Sequence, residues 1–186
     1  MSRFHVEPTQ NHWGALCCIL GYLCHTKDAA IRFRTGIPDY GAYPEPEYDW
    51  DYSMYQGVEE DIPTQILTPC GKAVCLTTYI DANLLHCQAT GRSASGILHI
   101  INSTPMDWFS KRLSTVEAAT YGSEFMAARL AVQQIIDMRL TLHYMGVPLD
   151  GPSWLFGDNE SVDKFSTIPS STLNKRHNAL SYHRFR

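Results

Sequence analysis

Thr77-Thr78-Tyr79-Ile80-Asp81 and, much later, Trp154-Leu155-Phe156-Gly157-Asp158 are two short apolar runs that each end on an aspartate. The first closes an alternating segment over residues 73–81. Val74, Leu76, Thr78 and Ile80 fall on one face, and Cys75, Thr77, Tyr79 and Asp81 on the other. Such period-two alternation predicts a strand. Two more strands are expected at 95–101 and 106–111, after a turn around Gly91 and a hairpin turn at Asn102-Ser103-Thr104-Pro105. Three consecutive strands with short links imply an antiparallel meander. Residues 115–145 then carry Ala128, Ala131, Ile135, Met138, Leu142 and Met145 at steps of three and four, the stripe of a helix that Gly146 and Pro148 stop. A strand at 153–157 follows this helical crossover, so it should lie parallel to the first. The expected fold class is α/β, a mixed sheet built from a three-stranded antiparallel meander plus one parallel strand.

This topology gives three distant carboxylates a common address. Parallel strands end at the same edge of a sheet, which makes Asp81 and Asp158 neighbours. Counting back four residues from Ala128 along the helical stripe reaches Glu124, so this acid sits on the core-facing side near the helix start. The helix dipole favours an anion there by only about 0.3–1 kcal/mol when exposed. Burying an unpaired charge costs far more, so a cation is expected to compensate it. Mg²⁺ is a hard ion that takes oxygen ligands, and carboxylate clusters of this kind serve phosphate chemistry.

Further blocks follow in order along the same stretch: Arg92-Ser93-Ala94-Ser95-Gly96, Trp108-Phe109-Ser110-Lys111-Arg112, Ser114-Thr115-Val116-Glu117 and Gly157-Asp158-Asn159-Glu160-Ser161-Val162. Together with the acids they resemble the RNase H region of copia-type retrotransposon Pol polyproteins. Upstream, Asn11 to Leu23 resembles the helix after the polymerase palm, in the thumb-to-connection region, with Cys17 and Cys18 where that family carries basic residues. Downstream, Lys175-Arg176-His177 and Tyr182-His183 resemble a Lys-His-x-x-x-x-Tyr-His block.

The resemblance implies an RNase H-like fold that hydrolyses the RNA strand of RNA–DNA hybrids. It implies Asp81, Glu124 and Asp158 as catalytic residues and metal ligands, a two-Mg²⁺ site in the intact domain, and Mn²⁺ as a substitute ion. Ser95, Lys111, Arg112, Asn159, Lys175 and Arg176 become candidates for contacting nucleic acid. The remainder of the retrotransposon polyprotein is the implied partner, and the implied location is intracellular, in the cytoplasm or in retrotransposon particles. A fourth carboxylate, with the last strand and helix, is expected past Arg186. The rival reading is therefore an inactive relic that keeps the fold and only binds nucleic acid. An integrase or transposase core also uses three separated acids, but the Trp-x-Ser-Lys and Gly-Asp-Asn blocks point away from one.

Individual residues admit plainer readings. Trp108 either meets the hybrid or packs beneath it, and an aromatic inside a meander is expected to be core. Asn159 and Ser161 are expected to cap the helix after the third acid. Asn83, close after Asp81, reads as a polar rim residue. Lys111 and Arg112 are surface charges able to meet phosphates.

Composition sets the outer limits. An apolar share of 44% over 186 residues supports a real core. No apolar run approaches the roughly 20 residues of a membrane helix, and the N-terminus has no signal-peptide apolar region, so neither membrane insertion nor secretion is expected. Six cysteines lack Cys-x-x-Cys spacing. A zinc site from Cys17, Cys24 and His25 is disfavoured against buried free thiols. The net charge of −4 conceals a segment, residues 35–71, with eight acids and no Lys or Arg. Its Glu45, Glu47, Asp49 and Asp51 lack EF-hand spacing. Residues 164–186 carry five basic residues, two histidines and no acid, which suits nucleic acid at one end. The expected organisation is a helix and a short strand at 30–34 within 1–34, an acidic irregular linker at 35–71, and the α/β domain at 72–186.

Overall fold

The computed structural model describes residues 9–42, 60, 62, 64–87, 90–114, 116–117, 119–159 and 162. The chain divides into two compact units, residues 1–32 and 33–186. The first holds α1, Gln10–His25. Thr9 caps it reciprocally: its Oγ1 accepts the His12 N–H at 3.4 Å, and its own N–H donates to His12 Nδ1 at 3.0 Å. The expected helix is present, yet none of its residues is buried. The alternating residues 30–34 form no strand. Arg34 instead exchanges hydrogen bonds with the Thr104 hydroxyl, which takes its N–H at 2.6 Å and donates to its carbonyl at 3.1 Å. A side chain has thus taken the place of a strand ladder.

The second unit holds a four-stranded sheet with β1 (Leu76–Cys87), β2 (Arg92–Ile101), β3 (Thr104–Arg112) and β4 (Trp154–Phe156) in the order β3-β2-β1-β4. The first three strands pair antiparallel and β4 pairs parallel to β1, as the strand pattern predicts. Asn102, at φ 55°, makes the β2–β3 turn. Its Oδ1 accepts the Cys75 N–H at 2.9 Å, which fastens the turn to the start of β1. Asparagine tolerates this left-handed conformation better than most residues.

The crossover is α2, Thr120–Tyr144, which begins five residues after the predicted start. The delay follows from packing just before it: the Leu113 N–H donates to the Ser93 carbonyl at 2.8 Å, holding the chain on β2. Glu117 then lies buried against Gly122, where a Cβ would collide with its carboxylate. The helix ends where Gly146 adopts φ 69° and presses against Leu67 and Thr68, a place and conformation that suit only glycine.

Ala128 and Ala131, both fully buried, let α2 approach the sheet closely, with Phe125, Ile135 and Leu142 packed along it. Burying a Phe or Leu side chain contributes about 1.5–3 kcal/mol each. The predicted stripe is correct in its middle and fails at its end. Met138 is half-buried, and Met145 is exposed because it lies past the last helical residue. Trp108 corrects the core expectation outright, at 66% exposed. Its strand register explains this: α2 covers the sheet face that carries Ile80, Ile97 and Phe109, whereas Trp108 shares the opposite face with Leu98 and Tyr79.

One buried polar pair went unnoticed in the sequence. His99 is fully buried, with Nδ1 at 2.8 Å from Thr78 Oγ1 and Nε2 at 3.1 Å from Gln134 Oε1. The amide oxygen of Gln134 accepts only, so Nε2 carries the proton and Thr78 donates to Nδ1.

Candidate metal centre

Two strands and a helix converge on the site. In the parallel ladder Tyr79 is level with Phe156, so Asp81 and Asp158 each stand two residues past that rung. Asp158 lies just beyond the end of β4, whereas β1 does not end at Asp81 as expected but runs on to Cys87, with Asp81 paired to Gly96. Gly157 sets how near Asp158 comes. A Cβ there would lie 3.1 Å from Ile80 Cγ1 and 3.2 Å from Cδ1, tighter than ordinary packing. The glycine before the aspartate is thus what allows the end of β4 to lie against β1.

Glu124 arrives from the first turns of α2 and is buried, only 4% exposed. Its Oε1 accepts the Ala82 N–H at 3.2 Å, which ties the helix to β1 one residue beyond Asp81. Its Oε2 is buried and has no hydrogen-bond partner among the described residues. Burial holds the Glu124 carboxyl above the usual carboxylate range. The negative charges of Asp158 and Asp81 push the same way, and the Ala82 N–H opposes them. Asp81 and Asp158 are exposed.

The three carboxylates each offer an oxygen, all within 4.8 Å of one another. No other grouping of His, Cys, Asp and Glu among the described residues comes together in this way. The expected convergence of Asp81, Glu124 and Asp158 is therefore observed as geometry. An all-oxygen donor set with one buried, unsatisfied oxygen fits a hard divalent cation, although nothing in it singles out magnesium.

The other sequence-predicted residues are dispersed. Ser95 is buried, and its hydroxyl donates to the Lys111 carbonyl at 3.2 Å, so it holds the β2–β3 pairing and does not face solvent. Lys111 and Arg112 are exposed at the end of β3. Asn159 Oδ1 accepts the Val162 N–H at 3.2 Å, while the helix it was expected to cap lies, apart from Val162, outside the described residues. Asn83 is exposed in β1, opposite Ala94. Lys175, Arg176 and Ser161 lie outside the described residues, as do the acids 45–51. Among the described side chains Cys17, Cys18, Cys24 and Cys70 are exposed and Cys75 alone is buried, which corrects the expectation of buried thiols for these five. Among the described residues no helix is long and apolar enough to cross a membrane.

Sequence reasoning missed Gly157 as a positioning residue and the Ala82 N–H as the anchor of Glu124. The signal for the first was present, since a glycine directly before a strand-end acid marks close backbone approach. The second is a backbone contact that no side-chain pattern reports.

No family model and no solved structure matches the chain. It is 22% identical over 183 residues to a retrovirus-related Pol polyprotein from transposon RE2 of Arabidopsis thaliana. The match covers 98% of this chain and 10% of that polyprotein, so the chain spans about a tenth of its relative's length. This distant similarity supports an origin as a fragment of a retrotransposon polyprotein.

Proposed function

We infer that the chain is the RNase H-like segment of a copia-type retrotransposon polyprotein, a divalent-cation-dependent nuclease for the RNA strand of RNA–DNA hybrids. The observation that carries this reading is the buried Glu124 carboxylate, with one oxygen unsatisfied, meeting Asp81 and Asp158 within 4.8 Å. A buried carboxyl with an oxygen left without a partner is costly, and a bound cation would compensate it.

Asp81, Glu124 and Asp158 would hold magnesium or manganese, which when bound supplies charge neutralisation and water activation for phosphodiester hydrolysis. Asp81 and Asp158 stand exposed where a backbone phosphate can approach. Glu124 supports them from below, anchored by the Ala82 N–H. Lys111 and Arg112 add positive charge for neighbouring phosphates. In the overall reaction a water oxygen bonds to phosphorus, one ester P–O bond breaks, and a proton ends on the leaving alkoxide.

The test is cleavage of an end-labelled RNA–DNA hybrid in Mg²⁺ and in Mn²⁺, beside Glu124→Gln, with circular dichroism to confirm that both proteins are folded. Cleavage by the parent and none by the variant supports the nuclease. A folded parent that binds hybrid without cutting it supports the relic reading.

A further inference from the structure

The sheet face opposite α2 carries a depression that meets the carboxylate site only at Asp81. Strand register places Tyr79, Leu98 and Trp108 in one row across β1, β2 and β3, and Asp81, Gly96 and Ser110 in the next row on that face. Asn83, Ala94 and Arg112 form the row after that. Because Gly96 has no side chain, the middle row sinks. A Cβ at Gly96 would meet nothing closer than the Asp81 carbonyl at 4.0 Å. The result is a shallow, open depression of about 290 Å³ with Tyr79, Leu98 and Trp108 at one side and Asp81 and Ser110 at the other.

Its aromatic wall is held in place. Trp154 and Phe156 stack at 5.7 Å with 7° between their planes, and Phe156 stacks on Tyr79 at 5.3 Å. Tyr40 packs edge-on against Phe156 at 5.1 Å. The row ends at Trp108, whose indole is largely exposed.

We propose that this depression takes an unpaired nucleobase of a single-stranded nucleic acid, with the base against Trp108 and Tyr79 over Gly96 and its phosphate toward Arg112. Exposed aromatic side chains beside a glycine floor offer π-faces of the kind on which bases stack, and an aliphatic protein partner has no need of them. A cation two rows along the same face complements the phosphate. Asp81 borders the depression and also belongs to the carboxylate cluster, so a base seated here places its strand beside the acids. The proposal deepens the nucleic-acid reading of the previous subsection and rests on it.

The experiment measures binding of the full chain to a fluorescent oligothymidylate and to an abasic strand of equal length, in EDTA so that the cation site plays no part. The parent is expected to prefer the base-bearing strand. Trp108→Ala should weaken that binding by about 5- to 150-fold, the range for loss of one stacked base, and leave abasic binding unchanged. Trp108→Phe should recover most of the loss, and Arg112→Ala should weaken both strands alike. Failure of the parent to bind either strand, or equal losses on both with Trp108→Ala, overturns the proposal. So does self-association in analytical ultracentrifugation that Trp108→Ala abolishes, because the face then takes protein. Lost hybrid cleavage with strand binding retained counts against the carboxylate reading alone, and the reverse counts against the nucleobase site alone.

Discussion

Replacing Glu124 by Gln tests the candidate centre through stability, independently of any activity. In the parent, Glu124 Oε2 is buried without a partner and faces the charges of two neighbouring aspartates. Leaving a buried polar atom unsatisfied costs about 1–3 kcal/mol, and more when the group is ionised. Glutamine keeps an oxygen for the Ala82 N–H and turns an amide N–H₂ toward Asp81 and Asp158. The variant should therefore be more stable than the parent in EDTA at pH 8, by about 1–3 kcal/mol. That corresponds to a Tm rise of about 2–12 °C for a chain of this size.

The pH dependence has a definite sign. The folded-state pKa of Glu124 is raised, so its contribution to stability is fully present below the ordinary carboxylate value. It is lost as pH rises through the raised value. The parent should accordingly lose more stability than the variant between pH 4 and pH 8. Adding Mg²⁺ should close or reverse this gap, since a cation at 100 times its Kd contributes about 2.7 kcal/mol to the parent and little to the variant. The assay is thermal unfolding by circular dichroism across this grid of pH and Mg²⁺. Equal Tm values in EDTA at pH 8, together with equal Mg²⁺ shifts for both proteins, would refute the reasoning.

Other outcomes follow from the same geometry. Gly157→Val should push the end of β4 away from Ile80 and cut the Mg²⁺-dependent Tm shift while far-ultraviolet circular dichroism stays near parental; an undiminished shift counts against Gly157 as the positioning residue. Gln134→Leu should leave the buried His99 Nε2–H without its acceptor and cost about 1–3 kcal/mol in urea unfolding, with no effect on the cation response. Arg139 holds Glu60 through two 2.6 Å contacts and keeps its carboxyl below the usual range. Glu60→Gln should cost no more than about 1 kcal/mol at pH 7, because the pair is partly exposed. That deficit should vanish as pH falls through the lowered Glu60 pKa, which a series of denaturation curves from pH 7 down to pH 3 would follow.

The order of elements and their approximate limits were legible in the chain itself. Alternation over residues 73–81 and the three-and-four spacing from Ala128 to Leu142 are local consequences of strand and helix geometry, and a helical crossover between two strands favours a parallel return. The same counting placed Glu124 on the inner face of α2 and the two aspartates level with each other, although β1 continues past Asp81 to Cys87 because β2 goes on pairing with it. Tertiary packing decided the rest. Trp108 is exposed because α2 covers only one face of the meander, and alternation along a strand says which residues share a face without saying which face is covered. Residues 30–34 alternate like a strand but form none, since a strand needs a partner edge and Thr104 supplies a side-chain bond instead. The distance at which Asp158 meets Asp81 depends on Gly157 lying against Ile80, and the protonation balance of Glu124 depends on its depth below them. Periodicity belongs to the chain, whereas burial, charge coupling and the open face beside Asp81 arise only when distant segments are packed together.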